Sequence, residues 1–195
     1  ISLISLILLN AENNALNEND LISQIEQYRY LLNNIKYDQR MMMTELSPVE
    51  IIQYAIKLKQ VETFSQNNKN WIRVAESQRI LLSYFSNNIL HCFILPALVA
   101  MIIQSYKKFS CHYLIDTIKN MYPYFKEEFF LKWNLAELEN EIGSIINSLE
   151  HLGWIIRQDN TISMTSDEHM QSKLLSLARL STSSLNNMLI ISALL

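Results

Sequence analysis

Tyr84-Phe85-Ser86-Asn87-Asn88-Ile89-Leu90-His91-Cys92-Phe93-Ile94-Leu95-Pro96-Ala97-Leu98-Val99-Ala100 runs a compact polar knot, Asn87, Asn88 and His91, straight into an apolar segment broken by Pro96. Asn87 or Asn88 lies three or four residues from His91, so these side chains share one side of a helix. Such a segment enters a core or meets a membrane surface. Proline removes a backbone donor and clashes with the preceding turn, so a kink or break is expected near Pro96. The apolar run from Ile89 to Ile103, interrupted by His91 and Pro96, falls short of the roughly 18–20 residues that span a bilayer.

Composition extends the helical reading outward. Among 195 residues there are only 2 Gly and 3 Pro, with 49% hydrophobic and 18% charged side chains. Scarce Gly argues against sandwiches, barrels and phosphate-cradling loops, while the apolar content marks a folded chain. Net charge is −3, which gives no general pull toward nucleic acid. Cys92 and Cys111 make no disulfide framework and suit a reducing compartment. Asn, Ile, Lys and Tyr are plentiful in the manner of a coding bias, which lowers the meaning of any single Asn or Ile.

The chain starts at Ile1 with nine almost wholly apolar residues and no basic segment before them, a poor signal peptide. It ends on the apolar stretch 188–195. Apolar ends point to a chain cut from something larger, with both edges packed on missing partners.

Ile1 to Leu9 reads as a short helix or a buried strand, and Asn10 to Asn19 as a polar loop. Leu21, Ile25, Tyr28, Leu32 and Ile35 trace one helical face. Ser47-Pro48-Val49-Glu50 is a helix start with a capping box, running to about Lys59. Val61–Ser65 and Trp71–Val74 flank a polar turn and predict a β-hairpin. Glu76 to Tyr106 is helical in pattern. Ser110 starts another helix that should end before Pro123, and Tyr124 to Trp133 is a further helical stretch. Asn134-Leu135-Ala136-Glu137 caps a helix with Leu138, Ile142, Ile145, Leu149 and Leu152 on one stripe and Gly153 at its C-terminal end. A second hairpin turns at Asp159-Asn160. A last helix, after Ser166, carries Met170, Leu174, Leu177 and Leu180.

The fold class is therefore mainly α, a helical bundle with two short β-hairpins. Three modules are expected: 1–75, helical with a hairpin; 76–133, central helices with the Pro-broken apolar segment; and 134–195, helix–hairpin–helix. A capped helix followed by a hairpin occurs twice, the outline of a winged-helix module. The helix that would enter a DNA groove carries Glu137, Glu139, Glu141 and Glu150 and no Lys or Arg, so a duplex would repel it.

No independent active site emerges. His91-Cys92 and Cys111-His112 lack zinc-ligand spacing, and adjacent helical residues point about 100° apart. No nucleophile elbow is present. Glu127 and Glu128 read as a solvated face. No catalytic, cofactor-binding or metal-ligating residue is assigned, and no cofactor is expected. Asn87, Asn88 and His91 remain the candidates, either as a buried polar knot that fixes its helix or as contacts to an anionic substrate or acyl donor.

The stretch Tyr84–Ala100, together with Met121-Tyr122-Pro123-Tyr124-Phe125-Lys126-Glu127-Glu128-Phe129-Phe130-Leu131, resembles the C-terminal region of bacterial membrane-bound glycerol-3-phosphate acyltransferases. Ile1–Leu9, Asn19–Glu26 and Val61–Ser65 are similar to further elements of that region. Ser86 stands where the family usually has Arg, and Cys92 where it has Leu. Catalysis in this family rests on His-x-x-x-x-Asp, in which His is the general base on the substrate hydroxyl and Asp orients it. Five residues after His91, His112, His151 and His169 stand Pro96, Thr117, Ile156 and Leu174. The nearest approach, His112 with Asp116, has the wrong spacing.

The resemblance implies a non-catalytic C-terminal part of an enzyme that moves an acyl group from acyl-ACP or acyl-CoA to the sn-1 hydroxyl of glycerol 3-phosphate, the first step of phospholipid synthesis. It implies an upstream acyltransferase domain as partner. It implies a peripheral place on the cytoplasmic face of the plasma membrane, with Ile89–Ile103 buried against that domain or dipping into the interface. The alternative is a non-enzymatic helical scaffold or regulatory module, or a gene relic.

Overall fold

The computed structural model describes residues 1–35, 37–38, 40–106 and 108–194, with the side chains of 190–194 left aside. These residues form two compact units, Ile1–Leu90 and His91–Leu195. The three-part division read from sequence pattern cuts elsewhere, at 75 and 133. Hairpins and caps are visible locally in a sequence, whereas the pairing of the first and last helices of a unit is not.

In the first unit, α1 (Ser2–Leu9) is a helix with Ile4, Leu6, Ile7 and Leu8 buried. A short strand β1 (Ala15–Asn17) leads into α2 (Glu18–Asn34), and α3 (Pro48–Lys57) follows. The hairpin β2 (Val61–Gln66) and β3 (Lys69–Val74) precedes α4 (Arg79–Leu90). All three strands join one antiparallel sheet in the order β1-β3-β2. Ile72 sits at its centre, opposite Leu16 on one side and Thr63 on the other. The helix α1 packs on α4 and α2.

The second unit repeats this order. It runs α5 (Ile94–Ser105), β4 (Phe109–Ser110), α6 (Cys111–Phe129), α7 (Leu135–His151), β5 (Ile155–Gln158), β6 (Thr161–Met164) and α8 (Glu168–Arg179), with a further helix α9 (Thr182–Leu194). Its sheet order is β4-β6-β5, with buried Ile162 opposite Phe109 and Arg157. Here α5 is the central apolar helix and packs on α6, α7 and α8.

The correspondence reaches single residues. The last residue of the first strand caps the next helix in both units: Asn17 accepts from the Asp20 N–H, and Ser110 from the Tyr113 N–H. Both third helices open on a capping box, Ser47 with Glu50 and Asn134 with Glu137. Each satisfies backbone donors that the first turn leaves orphaned. Both end through a leucine cap, Leu58 or Leu152, and one left-handed residue, Lys59 (φ 55) or Gly153 (φ 71). The next residue then enters the hairpin: Gln60 and Trp154 each accept from the backbone beyond the third strand, at Ala75 N (3.1 Å) and Thr165 N (3.4 Å). Helix, strand, helix, helix and hairpin with this strand order is the plan of a winged helix, so the outline suspected from two capped helices is a full tandem repeat.

Several local expectations are corrected. The break expected near Pro96 is present but lies just ahead of the proline. The break falls at His91–Phe93, and Pro96 lies in the first turn of α5, where its missing N–H would have had no intrahelical partner. Pro123 does not end α6, which runs through it to Phe129. Pro123 itself is exposed, while its neighbours Tyr122 and Phe125 are buried and hold the helix on the core. The loop expected at Asn10–Asn19 contains β1, and β4 likewise precedes α6. The first hairpin turns on Asn67 and Asn68 alone, both at positive φ. The last expected helix does start after Ser166, with Asp167 capping α8.

Two apolar segments find internal partners. Ile4, Leu6, Ile7 and Leu8 of α1 are buried within the first unit. In α5, Ile94 through Ala100, with Ile102 and Ile103, are buried, and each such Leu or Ile contributes roughly 1.5–3 kcal/mol. The segment is a core helix of the second unit. The apolar end at 190–195 lies outside the described side chains.

Candidate functional site

Asn87 and Asn88 stand in the last turn of α4, and both are exposed. Among the described residues neither amide has a hydrogen-bond partner. They are therefore not the buried knot that sequence spacing suggested. Their helix buries only Leu82 and Ser86. Its outer side carries Ile80, Leu81 and Tyr84, exposed by 89%, 43% and 63%. The sequence reading missed this face because apolar residues at 80, 81 and 84 look like a stripe turned inward.

His91 follows the end of α4 and belongs to the second unit. It is half-buried, and its Nε2 lies 3.3 Å from the Cys92 Sγ. The pair has the composition of a thiol–imidazole dyad but the wrong electrostatics. Burial pulls His91 below the ordinary imidazole range, and burial pushes the Cys92 thiol up to about 11. A nucleophilic cysteine needs the opposite shift, a thiolate held by positive charge.

The remaining candidates are surface features. The His112 Nε2 and an Asp116 carboxylate oxygen lie 3.1 Å apart across one turn of α6, with both side chains more than half exposed. Such pairs contribute little. Glu127 and Glu128 face solvent on α6. Glu139 on α7 meets Lys119 of α6 at 2.9 Å, and hydrogen bonding to that lysine lowers its carboxyl pKa. Glu150 pairs with Arg157 at 2.7 Å. Among the described residues, no group of three or more His, Cys, Asp or Glu could hold a metal ion.

A cavity of about 300 Å³ lies in the first unit, lined by Leu3, Leu32, Met41, Met43 and Ile51 with Arg29 at its edge. Arg29 is already spent, donating to the carbonyls of Leu46 (2.7 Å) and Thr44 (3.1 Å). The three consecutive methionines were the available sequence signal, since flexible thioethers line irregular gaps.

No acid–base pair, activated nucleophile or ligand cage is thus assembled from the described residues. A family model described as glycerol-3-phosphate acyltransferase C-terminal region matches residues 1–195. A glycerol-3-phosphate acyltransferase of Haemophilus influenzae (strain PittEE) is 30% identical over 165 residues, covering 84% of this chain and 20% of the relative. One from Pasteurella multocida (strain Pm70) is 29% identical over 145 residues, covering 73% of this chain and 18% of the relative. The chain thus spans about a fifth of the length of these relatives. With its match running from the first residue to the last, the chain belongs to the family of glycerol-3-phosphate acyltransferase C-terminal regions.

Proposed function

We propose that the polypeptide to which this stretch belongs transfers a fatty acyl group from an acyl-carrier-protein or coenzyme A thioester to the sn-1 hydroxyl of glycerol 3-phosphate. The family match over the whole chain carries this reading. In the reaction the hydroxyl oxygen forms an ester bond to the acyl carbon, the thioester C–S bond breaks, and the thiol leaves. The hydroxyl proton goes to a general base. That base is not in this stretch: no His here is followed by Asp at the fifth position, and the His91–Cys92 pair is held in its neutral, unreactive forms.

The role we assign to the stretch is support of an upstream acyltransferase domain, at the cytoplasmic face of the plasma membrane as a peripheral protein. Among the described residues, no single helix is long and apolar enough to cross a membrane. The tandem winged helices are used for packing rather than for nucleic acid. The helix that such a fold presents to a groove, α7, turns Glu137 and Glu139 to solvent, where phosphates would be repelled.

The test is glycerol-3-phosphate-dependent release of thiol from acyl-CoA. The product of the complete gene is expected to release it, and residues 1–195 alone are not. Release by the stretch alone would overturn the supporting role; no release by the complete product would overturn the enzyme.

A further inference from the structure

The two units are copies of one plan, so each serves as a control for the other. The last helix of the plan is α4 in the first unit and α8 in the second. Both have twelve residues, and both pack on the apolar central helix of their own unit, α1 or α5. Their outer sides differ in kind. On α8 the exposed residues are Glu168, His169, Ser172 and Arg179, a polar face suited to water. On α4 they include Ile80, Leu81 and Tyr84, followed by Asn87 and Asn88. Large apolar side chains gathered on one exposed face mark an interaction surface. The same topology with a polar face in the other copy shows that the plan does not require them.

The chemistry of the face selects its occupant. A helix that lies on an anionic lipid surface is flanked by Lys and Arg. The only basic residue of α4 is Arg79, 3.9 Å from Glu76. Acyl chains also offer nothing to two exposed amides, each with donors and an acceptor that need directional partners. Tyrosine at the centre with aliphatic neighbours and a polar end is the make-up of a protein–protein contact. A large polypeptide surface is at hand in the family, whose relatives extend about five times the length matched here.

We propose that the α4 face formed by Ile80, Leu81, Tyr84, Asn87 and Asn88 is the docking surface for the acyltransferase portion of the same polypeptide. The proposal rests on the function proposed above and names the contact through which support is delivered. Ile80, Leu81 and Tyr84 give up apolar area to the partner, and Asn87 and Asn88 fix the register by hydrogen-bonding its backbone.

The test uses the complete gene product in its native membrane. A photo-reactive phenylalanine analogue is placed at Tyr84 in one variant and at Ser172, on the matching helix α8, in another. After illumination, the adducts are mapped by peptide mass. Tyr84 is expected to give intramolecular adducts to the acyltransferase portion, and Ser172 none. Adducts from Tyr84 to lipid, to a second copy or to water alone overturn the proposal, as does equal capture at Ser172. Thiol release is measured on the same samples. Transfer without the Tyr84 adduct sinks the docking face and spares the enzyme. The adduct without transfer does the reverse.

Discussion

Lys59 and Gly153 occupy the same left-handed position after the third helix of each unit, at φ 55 and φ 71. Both donate to the carbonyl three residues back, Ile56 at 2.8 Å and Glu150 at 2.9 Å. Only glycine adopts this conformation without crowding between Cβ and the carbonyl. Lys59→Gly is therefore expected to raise stability in urea unfolding by about 0.5–1 kcal/mol. Gly153→Ala is expected to lower it by about 1–2 kcal/mol. A Cβ at Gly153 meets no heavy atom within 4 Å, so the loss would report backbone strain alone. At this scale the sequence was most legible where one residue type has one physical use, as with Gly153 and the two capping boxes. It was least legible at Asn87 and Asn88. Their types and spacing were read correctly, but whether an amide faces water depends on what the rest of the helix packs against.

Helix α6 shows an element overriding local rules. Pro123 removes a hydrogen bond and crowds the carbonyl of Lys119, which for an isolated helix is reason to stop. The helix continues because the turns on both sides are anchored. Leu114, Ile118, Tyr122 and Phe125 are buried, and the Tyr122 hydroxyl donates to the Trp133 carbonyl at 2.8 Å. Since Pro123 is exposed, Pro123→Ala restores the bond without opening a cavity. It is expected to stabilise the protein by about 1–3 kcal/mol, read as a higher urea midpoint at constant slope; an unchanged midpoint would mean the helix is already relaxed around the ring. The short strands β1 and β4 were illegible for the opposite reason. Two or three residues carry no periodicity, and these strands exist only because β3 and β6 offer them an edge. The break before α5 was legible as a consequence of Pro96 but misplaced, since the chain shifts its helix start to put proline where it costs least.

Across the whole chain, the repeat makes each unit a closed circuit between its apolar first helix and the last helix of the shared plan, α1 with α4 and α5 with α8. Leu6, at the centre of α1, is fully buried. Leu6→Ala is expected to cost about 2–5 kcal/mol. In native-state hydrogen exchange the loss should appear in α4, more than seventy positions later in the sequence, as well as in α1. Protection in α4 that survives the substitution would refute the pairing. The duplication was half legible in sequence, from two capped helices each followed by a hairpin. Its full extent was hidden because α1 and α5 share apolar character but no pattern that ties them to α4 and α8. That circuit also has a consequence during synthesis. Because α1 and α5 pack most extensively on α4 and α8, which are made late in their halves, each half emerges from the ribosome with its most apolar helix incompletely covered for much of the time that the half takes to translate. The nascent chain presents such a segment twice in succession, and a chaperone holding the first should be released only as α4 clears the exit tunnel.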